Sequence, residues 1–130
     1  MLLFGHRFIE SESFYHISSI DAISKTPPSS KVFLEFNENN LDIINHLREN
    51  SVEFVLSVSN LTELIYASSL GASYILVQKE LAKSAQNIAE SYLFDAKILV
   101  GLDNEEEIEE MAMLNLDGVL FSNAIIKINS

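Results

Sequence analysis

Five short apolar runs recur along the chain, beginning at residues 31, 53, 73, 97 and 118: KVFLEF, EFVLSV, SYILVQ, KILVGL and GVLFSN. Their apolar residues are nearly continuous rather than alternating, which marks strands covered on both faces, as in parallel sheets. The intervals of a little over twenty residues leave room for a strand, a polar junction and a short helix. The pattern predicts five parallel strands alternating with helices, an α/β chain of the order βαβαβαβαβ.

The intervening segments carry helical spacing and helix punctuation. In the third, Leu81, Ala85, Ile88, Ala89 and Tyr92 form an apolar stripe, while Lys83, Gln86, Asn87 and Glu90 face away. In the fourth, Ile108 and Met111 give a narrow apolar edge, and Glu105, Glu106, Glu107, Glu109 and Glu110 crowd the first turns, where the helix dipole favours acids. Asn60 with Glu63, and Asn104 with Glu107, resemble capping boxes. Gly71 falls where the second helix should stop.

Before Pro27 and Pro28 lie 26 residues without this rhythm. LLFGHRFI and SFYHIS have the makings of two strands, expected to pair as a hairpin or cap an edge, and SIDAIS of a helical turn. The organisation expected is therefore one domain over 1–130, with an N-terminal extension (1–30) and βα repeats (31–126). Closing eight βα units into a barrel takes about 200 residues or more, and this chain has 130. The repeats must form either a half-barrel or an open three-layer sheet. A half-barrel exposes an apolar inner face unless the N-terminal residues plug it or two chains pair, so a homodimer is expected.

Composition narrows the function classes. Eight basic residues stand against 19 acidic ones, a formal charge of −11. Such a field repels phosphate backbones and anionic membranes, and no basic cluster offsets it, so neither nucleic acid nor membrane is an expected partner. The chain has no cysteine, which excludes disulfides, thiol catalysis and cysteine-ligated zinc, and suits a cytoplasmic protein. MLLFGHRFIESE lacks the plan of a signal peptide, and no stretch reaches the roughly 20 apolar residues of a membrane span.

In parallel α/β proteins ligands sit at the carboxyl ends of the strands. Those ends carry Glu35, Ser57, Gln78 with Lys79, Asp103, and Ser122 with Asn123. Glu35 stands in an otherwise apolar strand, where desolvation would suit it to acid–base work. Lys79 is the cation most able to share the rim, either as an amine nucleophile or, the favoured role, as the ion-pair partner of a carboxylate. Glu35 and Lys79 are thus the candidate catalytic residues, and Ser57, Gln78, Asp103, Ser122 and Asn123 the candidate ligand-binding ones. His6, His16 and His46 lack metal-ligand spacing. His6 draws notice because Arg7 follows it at a strand end. No P-loop, dinucleotide fingerprint, nucleophile elbow or zincin motif occurs. No metal or cofactor is expected.

The run KILVGLDNEEEIEEMAMLNLDGVLFSNAI resembles the last βαβ unit of two barrel groups: the glycerophosphodiester phosphodiesterases, and the ribulose-phosphate-binding and keto-deoxy-sugar-phosphate aldolase barrels. The likeness extends upstream to VFLEF, over about residues 31–126. For the phosphodiesterases, GHR at 5–7 resembles the opening His-Arg pair and Glu35 a metal-binding carboxylate, but the Glu-x-Asp and second His-Asp motifs are absent. For the aldolases, Glu35 falls at a catalytic carboxylate, yet the last strand has no Schiff-base lysine, and Ser122 and Asn123 replace the paired glycines of the phosphate site. Either resemblance implies a scaffold with most of its chemistry missing. The strand ends also lack the acid cluster, aspartate and lysine of a response-regulator receiver. Two functions are expected to compete: a non-catalytic interaction or assembly module on a degenerate barrel, placed first, and a small phosphorylated-metabolite binder or phosphodiesterase- or lyase-like enzyme using Glu35 and Lys79.

Overall fold

The structure, a computed structural model, describes residues 1–128; the end of the expected domain, 129–130, lies outside the described residues. Four helices, α1 (Leu41–Glu49), α2 (Leu61–Ser69), α3 (Lys79–Ser91) and α4 (Ile108–Met113), alternate with strands β3 (Lys31–Glu35), β4 (Phe54–Ser57), β5 (Tyr74–Val77), β6 (Lys97–Leu102) and β7 (Gly118–Phe121). These are the five expected strands, parallel and adjacent in sequence order. Three more raise the number among the described residues to eight, not five: β1 (Leu2–Phe4), β2 (Phe14–His16) and β8 (Ile125–Lys127).

The sheet order is β1-β7-β6-β5-β4-β3-β2-β8. Only three residues separate β7 from β8, so one bent stretch, 118–127, serves both ends of that order. Its first half pairs with β6 and β1, its second half with β2. The curl expected of a half-barrel is present rather than the flat three-layer alternative, and it continues until the ring closes: β2, β3, β4, β5, β6 and the 118–127 stretch. A chain too short for eight βα units closes a narrower barrel from six positions, with β1 wedged at the seam.

Alternation along each strand sorts the core into two layers. Phe33, Val55, Leu99 and Leu120 point inward and pack with Phe4, Phe14 and Ala124. Their neighbours Val32, Leu34, Phe54, Leu56, Ile98, Val100 and Val119 point outward to the helices. Side chains already fill an eight-stranded barrel; in this narrower ring the rings of Phe4 and Phe14 meet edge to face at 5.0 Å, and both meet Tyr74. The N-terminal segment therefore plugs the inside, as one of the sequence-based alternatives had it. It does so as two parallel strands, however, not as a hairpin: β1 and β2 pair with β7 and with β3 and β8, never with each other. With the inner face covered by the chain itself, the physical reason for expecting a dimer lapses. SIDAIS is helical as expected, a 3-10 turn over Asp21–Lys25.

The amino-terminal mouth of the barrel is closed by Lys31. Its ammonium lies 5.6 Å from the Tyr74 ring centroid, 2.9 Å from Glu53 and 3.4 Å from Glu12. Burial by itself lowers its pKa; the hydrogen bond to Glu53 and the neighbouring negative groups outweigh that and hold it above the ordinary lysine value.

The buried face of α3 differs from the expected stripe. Ala82, Ala85, Gln86 and Ala89 are buried, whereas Tyr92, at the helix end, is 77% exposed. Gln86 was expected to face water. Instead it donates to the Asp117 carboxylate (3.1 Å) and accepts from the Asp117 N–H (2.9 Å), while the same carboxylate accepts the Ile98 N–H (2.9 Å). This small network ties α3 to the starts of β6 and β7 and leaves the buried amide fully paired. Small alanines on either side let the helix approach the sheet closely enough for it. No helix among the described residues is long and apolar enough to cross a membrane.

Candidate functional site at the carboxyl ends of the strands

Parallel register brings the polar ends of β3 to β7 to one edge of the barrel. Two adjoining clefts open there and share Asp103. The larger, of about 430 Å³, lies over β4, β5 and β6 and is lined by Ser57, Gln78, Lys79, Asp103 and Glu107 around Leu76 and Gly101. Gly101 shapes its floor: a β-carbon there would meet only Leu76, at 3.8 Å, so the missing side chain leaves open space. The smaller, of about 300 Å³, lies between the loop after β1 (Gly5, His6, Arg7) and the loop after β6 (Asp103, Asn104, Glu105), with Phe121 and Asn123 beside it.

The expected site residues are thus divided. Ser57, Gln78, Lys79 and Asp103 share the larger cleft, and Asn123 joins Asp103 in the smaller. Glu35 and Ser122 are exposed and line neither. Lys79 does not pair with Glu35. Strand β4 lies between their two strands, and the turn entering α4 and the helix itself supply nearer acids: Lys79 bonds Glu107 and lies 3.3 Å from Glu110. Those bonds raise the pKa of its ammonium, Glu107 contributing most. An amine nucleophile needs the opposite shift.

The smaller cleft is organised around one carboxylate that the sequence did not single out as a partner. Glu105 accepts from Arg7 Nη2 at 2.8 Å and Nε at 3.3 Å, and His6 Nε2 lies 2.9 Å from it. The Arg7 hydrogen bonds chiefly hold its pKa below the usual carboxylate value. His6 Nδ1 accepts the Phe8 N–H at 3.1 Å, and the other ring nitrogen faces the Glu105 carboxylate. Both ring nitrogens are thereby engaged. Arg7 also stacks on the Phe8 ring at 4.1 Å. The sequence signal for this cluster was the pair His6 and Arg7 directly after a strand; no local pattern named Glu105, 98 residues away.

The helix entries follow the capping rules in part. Asn60 Oδ1 accepts the Glu63 N–H, and the Glu63 carboxylate returns to the N–H of Ser59 rather than to that of Asn60. Asn104 accepts from Glu106, not Glu107, because a 3-10 turn precedes α4. Among the described residues no group of three or more histidine or acidic side chains could hold a metal ion.

Compared with known proteins, the chain matches no protein-family model and no curated protein.

Proposed function

We propose that this chain is a non-catalytic interaction or assembly module built on a miniature βα barrel. One observation carries this: at the edge where barrel enzymes keep their chemistry, the cationic groups that line the clefts are already taken up by carboxylates of the same chain. Arg7 and His6 are bound to Glu105, and Lys79 to Glu107 and Glu110. The histidine that lines the smaller cleft, His6, is held against the same Glu105 that binds Arg7, and the barrel interior is packed with side chains. Lack of cysteine suits a cytoplasmic setting for such a module.

The clefts themselves favour a second function, binding of a small phosphorylated ligand by Ser57, Gln78 and Asn123. Glu80, Asp103 and Glu107 also line the larger cleft, and their charges repel a phosphate unless Lys79 is released from its partners. Thermal-shift screening with sugar phosphates and glycerophosphodiesters decides between the two. The module predicts no shift and no turnover; a melting rise that Lys79→Met abolishes establishes the phosphate-binding function instead.

A further inference from the structure

All four helices end in the same backbone motif. At each end the residue after the helix cap adopts a left-handed conformation, and two N–H groups bond back to the last turn. For α2 these bonds are Ala72 to Ala67 and Gly71 to Ser68; for α3, Phe94 to Ala89 and Leu93 to Glu90; for α4, Leu116 to Met111 and Asn115 to Ala112. In α1, Val52 bonds Leu47 and Ser51 bonds Arg48. The left-handed positions hold Ser51 (φ 55°), Gly71 (φ 86°), Leu93 (φ 54°) and Asn115 (φ 63°). Glycine and asparagine are the residues this conformation favours, and serine is small. Leu93 is the exception. A leucine strains the turn, and its side chain is 85% exposed, so it repays nothing by burial. Tyr92 beside it is 77% exposed, and Met113, at the end of the next helix, is 79% exposed. The Gln86–Asp117 bond holds α3 against the chain that leaves α4, so the three side chains stand at neighbouring helix ends on one end of the barrel.

Residues held against their local preference, with no gain in folding, mark a surface kept for another purpose. We infer that Tyr92, Leu93 and Met113 form a docking surface for a protein partner presenting apolar side chains within a basic surface. The sign of the partner follows from charge. With Glu110 paired to Lys79 and Asp117 to Gln86, segments 90–97 and 109–117 still present Glu90, Asp95 and Glu109 against Lys97 alone, in a chain of formal charge −11. A second copy of the chain brings like charge and is repelled. This surface rests on the proposed interaction role and specifies its partner.

The test titrates the full chain, isotopically labelled, with a synthetic amphipathic lysine/leucine helix peptide. The expected result is perturbation confined to residues 90–97 and 109–117, weakened by added salt and absent with a glutamate/leucine peptide of the same pattern. Leu93→Gly relieves the turn and is expected to raise Tm by about 3 °C, while weakening peptide binding roughly tenfold. Met113→Gln, at the surface, weakens it without touching the turn. A Tm lowered by Leu93→Gly would show the leucine to be structural and overturn the inference. Unchanged binding by both variants, or self-association through this face in sedimentation, overturns it equally. Peptide binding mapped to another face removes this surface but leaves an interaction role standing, whereas turnover of a substrate at the carboxyl-end clefts removes the role itself.

Discussion

Replacing Phe14 by alanine separates a barrel closed by its N-terminus from a βα sheet carrying an appended extension. Phe14 is fully buried, at 0% exposure, between the rings of Phe4 and Tyr74. A buried phenylalanine removes roughly 200 Å² from water. At about 25 cal/mol/Å² this is ~5 kcal/mol, of which the remaining alanine retains a part. The expected loss is ~4 kcal/mol, in the range typical of buried Phe→Ala changes, and a large share of the ~5–15 kcal/mol that holds a domain together. Urea unfolding followed by far-UV circular dichroism measures it, with Phe8→Ala as the control. Phe8 is 70% exposed and touches Arg7, so its loss is expected to cost less than about 1 kcal/mol. If Phe14→Ala costs no more than that control, β2 does not belong to the core and the closed ring is refuted.

Gly118→Ala should lower stability by about 1–3 kcal/mol, because the added methyl would lie 2.7 Å from Leu99 and 3.0 Å from the Leu2 carbonyl at the β1–β7 seam; thermal melting reads it, and an unchanged Tm contradicts that seam. Gln86→Leu leaves the Asp117 N–H without its acceptor and should cost about 1–3 kcal/mol, whereas an exposed Gln86, as the helix stripe alone implied, would be nearly silent in the same urea titration. Glu105 supplies a pH signature. Its folded pKa lies below the unfolded value, so its contribution is present above the ordinary carboxylate range and is lost as pH falls through the folded pKa. The stability difference between wild type and Glu105→Gln should therefore shrink towards zero on acidification, and a difference that grows in acid would contradict the assignment.

What the sequence made legible follows from which forces are local. The strands β3 to β7 were readable because burial on both faces writes itself as unbroken apolar runs such as Val32, Phe33 and Leu34. Strands β1 and β2 were readable as short strands but not in their pairing, which ring closure sets, and the three residues of β8 carry too little pattern to be read at all. The polar strand ends Ser57, Gln78 and Asp103 were readable as the places where apolar runs stop. Their pairing was not: Lys79 meets Glu107 and Glu110 because the next βα loop lies beside it, a consequence of topology rather than of spacing. Gln86 was misplaced because its burial depends on Asp117, 31 residues on.

The central claim is that one chain closes its own barrel through the bent stretch 118–127. Backbone nuclear Overhauser contacts between Tyr15 and Ile126, together with those between Leu3 and Val119, test it most directly. Both sets are expected within a single chain, in an isotope-filtered experiment on mixed labelled and unlabelled protein. Contacts at Leu3 and Val119 alone, or Tyr15–Ile126 contacts that appear only between chains, would mean that the ring is open.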